Sequence, residues 1–423
     1  MRAITVFRML GLLASAAVVE ARAESAFYLK DGDRVVFYGD SITEQRLYTT
    51  FIETYVATRF PKLDVRFFTA GWRGDRVTGG LGGGIDMRLQ RDVFAYKPTV
   101  MTIMLGMNDG AFRAFNRGIF DTYRKGYEHI VESLKRNAPG IRVTLIQPSP
   151  FDDVTRAPGV EGGYNRVLVR YGRFVTKLAE REALYVADLN RPVVAALKKA
   201  KDADAELSTK IIPDRFHPGA AAQLIMAEAL LKRWHAPAVV TAVEIDGADG
   251  RVVKAEATKV TGLRDGNGGW RWLQEDAALQ MPVDMNDPVI ALAVNSSDFV
   301  QALNQQPLKV TGLRAARYRL LIDFIDVGTF TREQLAEGIN LATLPTPMAK
   351  QAGGIHQQAL QRSKAHFTLW RTVEVPLANS KSPKVQNALP DVLAGLDEDE
   401  AEVVKRQRAT AQPKMRRYIL APE

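Results

Sequence analysis

The chain contains no cysteine among its 423 residues, which excludes disulfide bonds, thiolate metal sites and a cysteine nucleophile. It also lacks low-complexity blocks, and beyond its first 23 residues it has no apolar run long enough to span a bilayer. The remaining composition is that of a globular protein, with 46% hydrophobic and 25% charged residues. We therefore expect a fold stabilised by its hydrophobic core, and the length favours more than one domain.

The first residues have the layout of a secretory signal peptide. Arg2 and Arg8 accompany an apolar run over residues 9–19, and residues 21–23 form a small-x-small cleavage site. The apolar run is far shorter than the roughly 20 residues that a membrane-spanning helix requires. The pattern predicts cleavage near Ala23 and export to the periplasm or the exterior, with no transmembrane segment in the mature chain.

The chain is basic, with a formal net charge of +9 at pH 7. A basic balance can attract polyanions. Positive and negative residues nevertheless alternate along most of the sequence. We interpret the charge as a solvated surface and expect no nucleic-acid partner.

Between residues 34 and 234, short apolar runs alternate with helical patterns. The predicted strands are 34–38, 65–69, 99–105, 142–146 and 184–188, and the predicted helices are 47–60, 85–96, 120–136, 164–182, 192–200 and 218–234. Several strands are continuous apolar runs, which suits strands that are covered on both faces. The alternation predicts an α/β domain over residues 24–236, with a five-stranded parallel sheet between two helical layers.

The pattern changes after residue 236. Residues 237–345 show short alternating strands separated by Asp-Gly and Asn-Gly turns, which predicts a β-rich, sandwich-like domain. Residues 346–423 return to helical periodicity and predict a helical C-terminal segment. The candidate catalytic residues described next all lie before this half, so we expect it to supply no catalytic group.

A serine follows the first predicted strand, in the run Gly39-Asp40-Ser41. In open α/β sheets, ligands bind beyond the carboxyl ends of the strands, so Ser41 lies where a substrate would arrive. The alternative is structural: Ser41 or Thr43 would only cap the helix that follows. Which of these holds depends on the residues that share this edge of the sheet.

Three further runs lie on the same predicted edge and contain Gly71, Asn108 and the pair Asp214 and His217. A serine hydroxyl is a weak nucleophile until a base takes its proton, and a carboxylate must orient that base. His217 and Asp214 can fill these roles for Ser41. The attacked carbonyl needs positioned donors, which the backbone N–H groups of Ser41 and Gly71 and the side-chain amide of Asn108 can supply.

The four runs together resemble the motif blocks of the SGNH/GDSL hydrolase family: Gly39-Asp40-Ser41, Gly71, Gly106-x-Asn108-Asp109 and Asp214-x-x-His217. The resemblance covers residues 34 to about 234. It implies a three-layer α/β/α, flavodoxin-like fold and an acyl-enzyme mechanism without a cofactor or metal ion. In it Ser41 is the nucleophile, His217 the base and Asp214 the orienting carboxylate. Two positions depart from the family pattern, with Ile42 in place of leucine and Ala70 where many members carry asparagine.

The residues next to these blocks are candidates for lining the acyl or alcohol pocket, namely Trp72, Arg73 and Phe216. Export and the lack of an evident apolar lid favour a small polar substrate. We therefore expect an exported serine esterase that acts on small acyl esters, with acetyl groups on carbohydrates favoured. Two alternatives stay open: a lipase or thioesterase of the same family, and a non-catalytic protein that binds carbohydrate or the cell envelope.

Overall fold

The computed structural model describes residues 26–423, so the expected signal peptide lies outside the described residues. The strands are β1 (Arg34–Gly39), β2 (Arg66–Gly71), β3 (Gly79–Gly80), β4 (Gly83–Gly84), β5 (Val100–Met104), β6 (Arg142–Ile146), β7 (Tyr185–Ala187), β8 (Ala242–Asp246), β9 (Arg251–Glu256), β10 (Thr258–Asp265), β11 (Trp270–Asp276), β12 (Pro307–Thr311), β13 (Arg317–Ile322), β14 (Ile325–Thr331), β15 (Ile339–Asn340) and β16 (Met415–Pro422). The helices are α1 (Ser41–Glu44), α2 (Leu47–Arg59), α3 (Ile85–Asp92), α4 (Arg117–Asn137), α5 (Tyr164–Arg181), α6 (Asn190–Ala203), α7 (Ala205–Ser208), α8 (Ala220–Arg233), α9 (Pro288–Asn295), α10 (Phe299–Leu303), α11 (Arg332–Glu337), α12 (Pro347–Phe367), α13 (Val375–Leu377) and α14 (Pro383–Ala411). A π-helical segment, Thr368–Glu374, continues α12 without a break. Among the residues described, no helix combines the length and apolarity needed to cross a membrane.

The first half of the chain forms a five-stranded parallel sheet in the order β2-β1-β5-β6-β7. Helix α8 contacts both α2 and α6 in one layer, and α4 and α5 contact each other in a second. Every residue of β5 is buried, which explains why the sequence of this strand is continuously apolar. The predicted three-layer α/β/α fold is confirmed.

The strand order places the carboxyl ends of β2, β1 and β5 side by side. If the short hairpin strands β3 and β4 are set aside, this is the strand order of a flavodoxin-like sheet. In such a sheet the order in which strands are added reverses once, here between β1 and β5. Ligands bind at this point of reversal in open α/β sheets. Ser41 comes shortly after β1, Gly71 is the last residue of β2, and Asn108 lies in the loop after β5.

The second half contains two further sheets, with strand orders β10-β11-β16-β13-β14 and β15-β12-β8-β9. Their buried side chains form one core, to which Trp272 of β11, Val310 of β12 and Tyr418 of β16 contribute. The segment expected to be helical, 346–423, is helical as far as Ala411 and ends in strand β16. This strand lies at the centre of the five-stranded sheet, so the end of the chain completes the β-rich region.

The two halves of the chain share a large buried contact. Helix α12 packs on α2, and α9 packs on α8. As a result 11 of the 13 residues of α2 are buried, including Glu53 and Arg59. The Arg362 guanidinium of α12 donates to both oxygens of Glu53, with Nε 2.8 and 2.9 Å from them. The second half is therefore attached directly to the helix that follows the candidate nucleophile.

Candidate active site

The candidate nucleophile begins a single helical turn, α1, directly after β1. Asp40 caps this turn, since its Oδ1 accepts the Ile42 N–H at 3.0 Å. The Thr43 hydroxyl hydrogen-bonds to the Tyr48 hydroxyl. Neither Ser41 nor Thr43 is therefore needed as the cap. As the first helical residue, Ser41 has a backbone N–H without a partner inside the helix.

The structure brings Ser41, His217 and Asp214 together, although the serine and the histidine are 176 positions apart. Ser41 Oγ lies 2.9 Å from His217 Nε2. On the other side of the ring, His217 Nδ1 lies 2.6 Å from Asp214 Oδ2. Both distances are within hydrogen-bonding reach, which is the geometry that transfer of a proton from the serine hydroxyl requires.

Asp214 is held by the backbone as well as by the imidazole. Its Oδ1 accepts the N–H of Phe216 at 3.2 Å and the N–H of His217 at 2.7 Å. Partial burial by itself would raise the pKa of Asp214. The hydrogen bonds from His217 and Phe216 outweigh it and hold the pKa below its usual value. The carboxylate is therefore charged at neutral pH and able to stabilise an imidazolium.

The loop that contains this pair is anchored by arginines that the sequence analysis did not identify. Arg215 has a left-handed backbone with φ of 78°, which is uncommon for a residue other than glycine. Its Nη2 lies 3.0 Å from Asp153 Oδ1, and its carbonyl accepts the Asp152 N–H at 2.7 Å. Arg156 Nη2 donates to the Pro213 carbonyl at 2.9 Å. The loop after β6 thus fixes the position of Asp214 and His217, and only Arg215 lay inside a recognised motif.

The other two expected oxyanion donors belong to the strands beside β1: Gly71 is the last residue of β2, and Asn108 lies in the loop that follows β5. A Cβ added to Gly71 would lie 2.2 Å from the Glu44 nitrogen and 2.5 Å from the Thr43 carbonyl carbon, so only glycine fits against α1. Asn108 Nδ2 donates to the Asp75 carbonyl at 3.0 Å. A side-chain amide has two hydrogens, so this bond orients Asn108 and leaves one hydrogen free.

Two carboxyl groups are buried beneath these loops. Burial raises the pKa of Asp109 to about 7, against a hydrogen bond from the Val77 N–H at 3.0 Å that favours the charged form. Burial also raises the pKa of Asp40 to about 7, with further contributions from the charges of Asp109 and Asp75. These groups therefore change protonation near neutral pH while lying next to the catalytic loops.

Aromatic side chains form a wall beside the imidazole. The Phe216 ring centre lies 4.1 Å from that of His217, and Phe112 lies 5.3 Å from Phe216. Phe112 also stacks on Tyr164 at 5.1 Å. Of the expected lining residues, Phe216 thus belongs to this wall, and Arg73 is exposed. Phe112 was missed, although it follows Asn108 closely in the same loop.

The third expected lining residue, Trp72, is buried and only 6% exposed. The Arg371 guanidinium lies 3.2 Å above its ring centre, and Trp370 contacts it edge-on at 5.9 Å. Arg371 also pairs with Glu44 of α1 at 3.6 Å. The π-helical segment Thr368–Glu374 therefore supports both α1 and the loop after β2. No local motif in the sequence pointed to this contact.

The candidate catalytic side chains remain open to solvent. The side chain of His217 is 27% exposed and that of Asp214 is 45% exposed. Within residues 26–423, no group of histidine, aspartate and glutamate side chains is arranged to hold a metal ion. The arrangement can activate a serine hydroxyl towards a substrate that approaches from solvent.

A parallel α/β sheet with serine, histidine and aspartate hydrogen-bonded in series at its carboxyl edge has the arrangement that serine hydrolases share. Residues 37–225 match the model of the GDSL-like lipase/acylhydrolase family. The protein is accordingly a carboxylic ester hydrolase.

Proteins similar to this chain include an esterase and a gut microbial enzyme of solved structure. An acetylxylan esterase of Geobacillus stearothermophilus is 25% identical over 223 residues, which cover 48% of this chain and 93% of the relative. The solved structure of a gut microbial diltiazem-metabolizing enzyme matches with a TM-score of 0.82 at 24% identity, covering 95% of this chain and 100% of that one. The second likeness shows that the fold of both halves recurs together in another protein.

Proposed function

We propose that the protein removes acetyl or other small acyl groups from carbohydrates, with Ser41 as nucleophile, His217 as base and Asp214 as the orienting carboxylate. The observation that supports this most directly is the continuous pair of contacts, 2.9 Å from Ser41 Oγ to His217 Nε2 and 2.6 Å from Nδ1 to Asp214. Three groups of these types in this order form a unit that activates a serine.

In the proposed reaction Ser41 Oγ attacks the ester carbonyl while its proton passes to His217 Nε2. The backbone N–H groups of Ser41 and Gly71 and the free amide hydrogen of Asn108 stabilise the oxyanion. The C–O bond to the sugar then breaks, and His217 returns the proton to the leaving sugar hydroxyl. A water molecule attacks the acyl-enzyme by the same route, which releases the acid and restores Ser41.

The substrate class rests on the openness of the site and on the relative. A site whose histidine and aspartate are 27% and 45% exposed suits an ester displayed on a bulky polar molecule better than a long acyl chain that must be buried. The similar protein from Geobacillus stearothermophilus is an acetylxylan esterase. We propose that Phe216, Phe112 and Arg73 border the acyl and alcohol positions.

The triad assignment is tested with Ser41→Ala, His217→Ala and the double variant. Each single change should remove nearly all turnover of p-nitrophenyl acetate, and the double variant should be little worse because the two residues act as one unit. Labelling by a fluorophosphonate probe should be lost in Ser41→Ala. A His217→Ala enzyme that keeps more than about a tenth of the wild-type rate would refute the assignment, since loss of a general base costs roughly 100-fold or more.

The lipase and thioesterase alternatives are tested with a series of p-nitrophenyl esters of increasing acyl length and with acetyl release from acetylated polysaccharides. The proposal predicts the highest kcat/KM for acetate and measurable acetyl release. A preference for long acyl chains would instead favour a lipase. The non-catalytic alternative predicts that the folded protein does not react with the serine probe.

We also propose that the protein is exported. The support is the basic start, the apolar run at residues 9–19 and the small residues before Glu24. A mature N-terminus near Glu24 in protein recovered from outside the cytoplasm is the expected result.

A further inference from the structure

Helix α5 has a regular stripe of positive charge. Its cations occur at intervals of four, three, four and four residues, which places them on one face of the helix. The stripe comprises Arg166, Arg170, Arg173, Lys177 and Arg181, all of them exposed. Arg124 of α4 faces the same space.

Most of this charge is not neutralised by the protein. Arg181, at the far end, pairs with Glu128 and Glu182, and Arg124 pairs with Asp121. The other four cations of the stripe form no ion pair with any residue of the described part of the chain, 26–423. Like charges three or four positions apart destabilise a helix. The stripe therefore weakens α5, which points to a role other than stability.

The stripe lines a cleft of about 900 Å³ between α4 and α5. Three half-buried phenylalanines also line it, namely Phe115, Phe120 and Phe174. The Arg170 guanidinium lies 3.7 Å above the Phe115 ring centre. Glu161 is the acidic residue among those lining the cleft. The cleft is thus lined by cations and by three phenyl rings. Such a lining suits an anionic ligand that also has apolar faces.

The cleft begins next to the catalytic edge of the sheet. Phe115 belongs to the loop after β5 that contains Asn108 and Phe112, and the hydroxyl of Tyr164, the first residue of α5, donates to the Met107 carbonyl in that loop at 2.6 Å. From there the unpaired cations continue down α5 for about 16 Å, since each helical residue advances by about 1.5 Å. A chain whose ester lay at Ser41 could extend into the cleft.

We propose that this cleft binds an extended anionic polysaccharide, so that the substrate class is an acylated acidic carbohydrate polymer. The assignment of a substrate rests on the proposed esterase function. One cation per helical turn suits a polymer with an anionic group on each sugar, and the phenyl rings can contact the apolar faces of pyranose rings. A membrane surface is a poorer fit, because the apolar groups lie recessed in a concave cleft instead of projecting from it.

The test variant replaces three of the unpaired cations in the full chain, R166Q/R173Q/K177Q. Arg170 is retained because its contact with Phe115 helps to order the loop that contains Asn108. The matched control lies on α6, in the other helical layer, and makes the same change of charge: R191Q/K198Q/K199Q. These three side chains are exposed, and none of them lines the cleft.

Binding is measured by calorimetry with polygalacturonate that carries no ester, in the Ser41→Ala background. The triple variant should bind at least about tenfold more weakly at low salt, because charge attraction concentrates a polyanion at the cleft. The control should match the parent. In 1 M salt this difference in affinity should vanish, since the screening length falls to about 3 Å.

A kinetic measurement uses the enzyme with Ser41 present. In the triple variant, the ratio of kcat/KM for acetylated polygalacturonate to kcat/KM for p-nitrophenyl acetate should drop by a similar factor. The corresponding ratio for neutral acetylated xylan should not change.

Two results would overturn the cleft assignment: equal polygalacturonate affinities for the triple variant and its parent, or tighter binding to anionic phospholipid vesicles or duplex DNA than to polygalacturonate. The fate of the esterase proposal is read separately. A wild-type protein that hydrolyses neither p-nitrophenyl acetate nor an acetylated polymer refutes that proposal. The binding measurement with Ser41→Ala does not depend on turnover.

Discussion

The buried ion pair between the two halves allows a quantitative prediction for Arg362→Met. Glu53 and Arg362 are 2% and 5% exposed, and Arg362 Nη2 lies 2.7 Å from Glu53 Oε2. Arg362 also donates to Glu400 at 2.9 Å and to the Phe67 carbonyl at 2.8 Å. Methionine fills a similar volume but leaves the Glu53 carboxylate buried without its cation.

Removing one partner of a buried pair costs about 3–5 kcal/mol, because the remaining charge is uncompensated. We expect Arg362→Met to lower the free energy of unfolding by this amount in urea titrations followed by circular dichroism. Arg362→Met removes this cation from two carboxylates, but Glu400 still has His366, whose Nδ1 lies 3.5 Å from Glu400 Oε2. Adding Glu53→Gln removes the other charge, and Gln407 can still donate to the amide oxygen from its position 3.2 Å from Oε1. The double variant should therefore recover more than half of the loss.

The control is Arg408→Met, which breaks the exposed pair between Arg408 and Asp64, whose side chains are 43% and 58% exposed. A surface pair contributes about 1 kcal/mol or less. If Arg362→Met costs no more than Arg408→Met, the buried pair does not join the two halves as we infer. A double variant less stable than Arg362→Met would contradict the uncompensated-charge explanation.

Two further predictions concern the site. Asn108→Ala should lower kcat by roughly 100- to 1,000-fold with little change in KM, as for loss of one oxyanion donor; a change confined to KM in steady-state assays would make Asn108 a residue for uniform binding. Asp109→Asn should alter the pH dependence of stability. The native pKa of Asp109 is about 7 against an ordinary 3.8, so the native state keeps its proton while the unfolded state loses it between these values. Wild-type stability relative to Asp109→Asn should therefore fall as pH rises through this window, by at most about 1.4 kcal/mol per pH unit; parallel melting-temperature profiles would contradict the buried-carboxyl assignment.

Much of the α/β half could be predicted from the sequence because its signals are local. The expected strand 142–146 matches β6, and the expected helix 47–60 differs from α2 by one residue. Helix α8 begins at Ala220, two residues later than expected, because Gly219 is its N-cap. Continuous apolar runs identify central strands, and the residues that follow them identify the catalytic edge without any long-range information.

The contacts between the halves could not be predicted in this way. The polar residues of α2, such as Glu53 and Thr54, look like a solvent-facing side of an amphipathic helix. Their partners, Arg362 and His356, lie about 300 positions later and belong to no motif. Strand β16 was missed for a similar reason, since eight residues at the end of a helical region pair only with strands far away in sequence.

The charge stripe shows a different limit of sequence analysis. Counted along the chain, the cations of α5 alternate with apolar residues and with Glu180, and they look like ordinary surface charge. Only the helical period places Arg166, Arg170, Arg173 and Lys177 on one face. Only the fold shows that this face borders a cleft next to the catalytic loops.

The position of the proposed nucleophile, Ser41, depends on both halves of the chain, although the proposed catalytic groups all lie in the first. Helix α1 has only four residues, too few to be stable alone, so its neighbours must hold it. Gly71 contacts it from β2, and Arg371 pairs with Glu44 at its end. A fragment ending at residue 237 would lose Arg371 and would expose the side of α2 that α12 covers. We therefore expect the second half to be needed for a stable site while contributing nothing to bond breaking, which explains why a motif confined to the first half can belong to an enzyme twice its length.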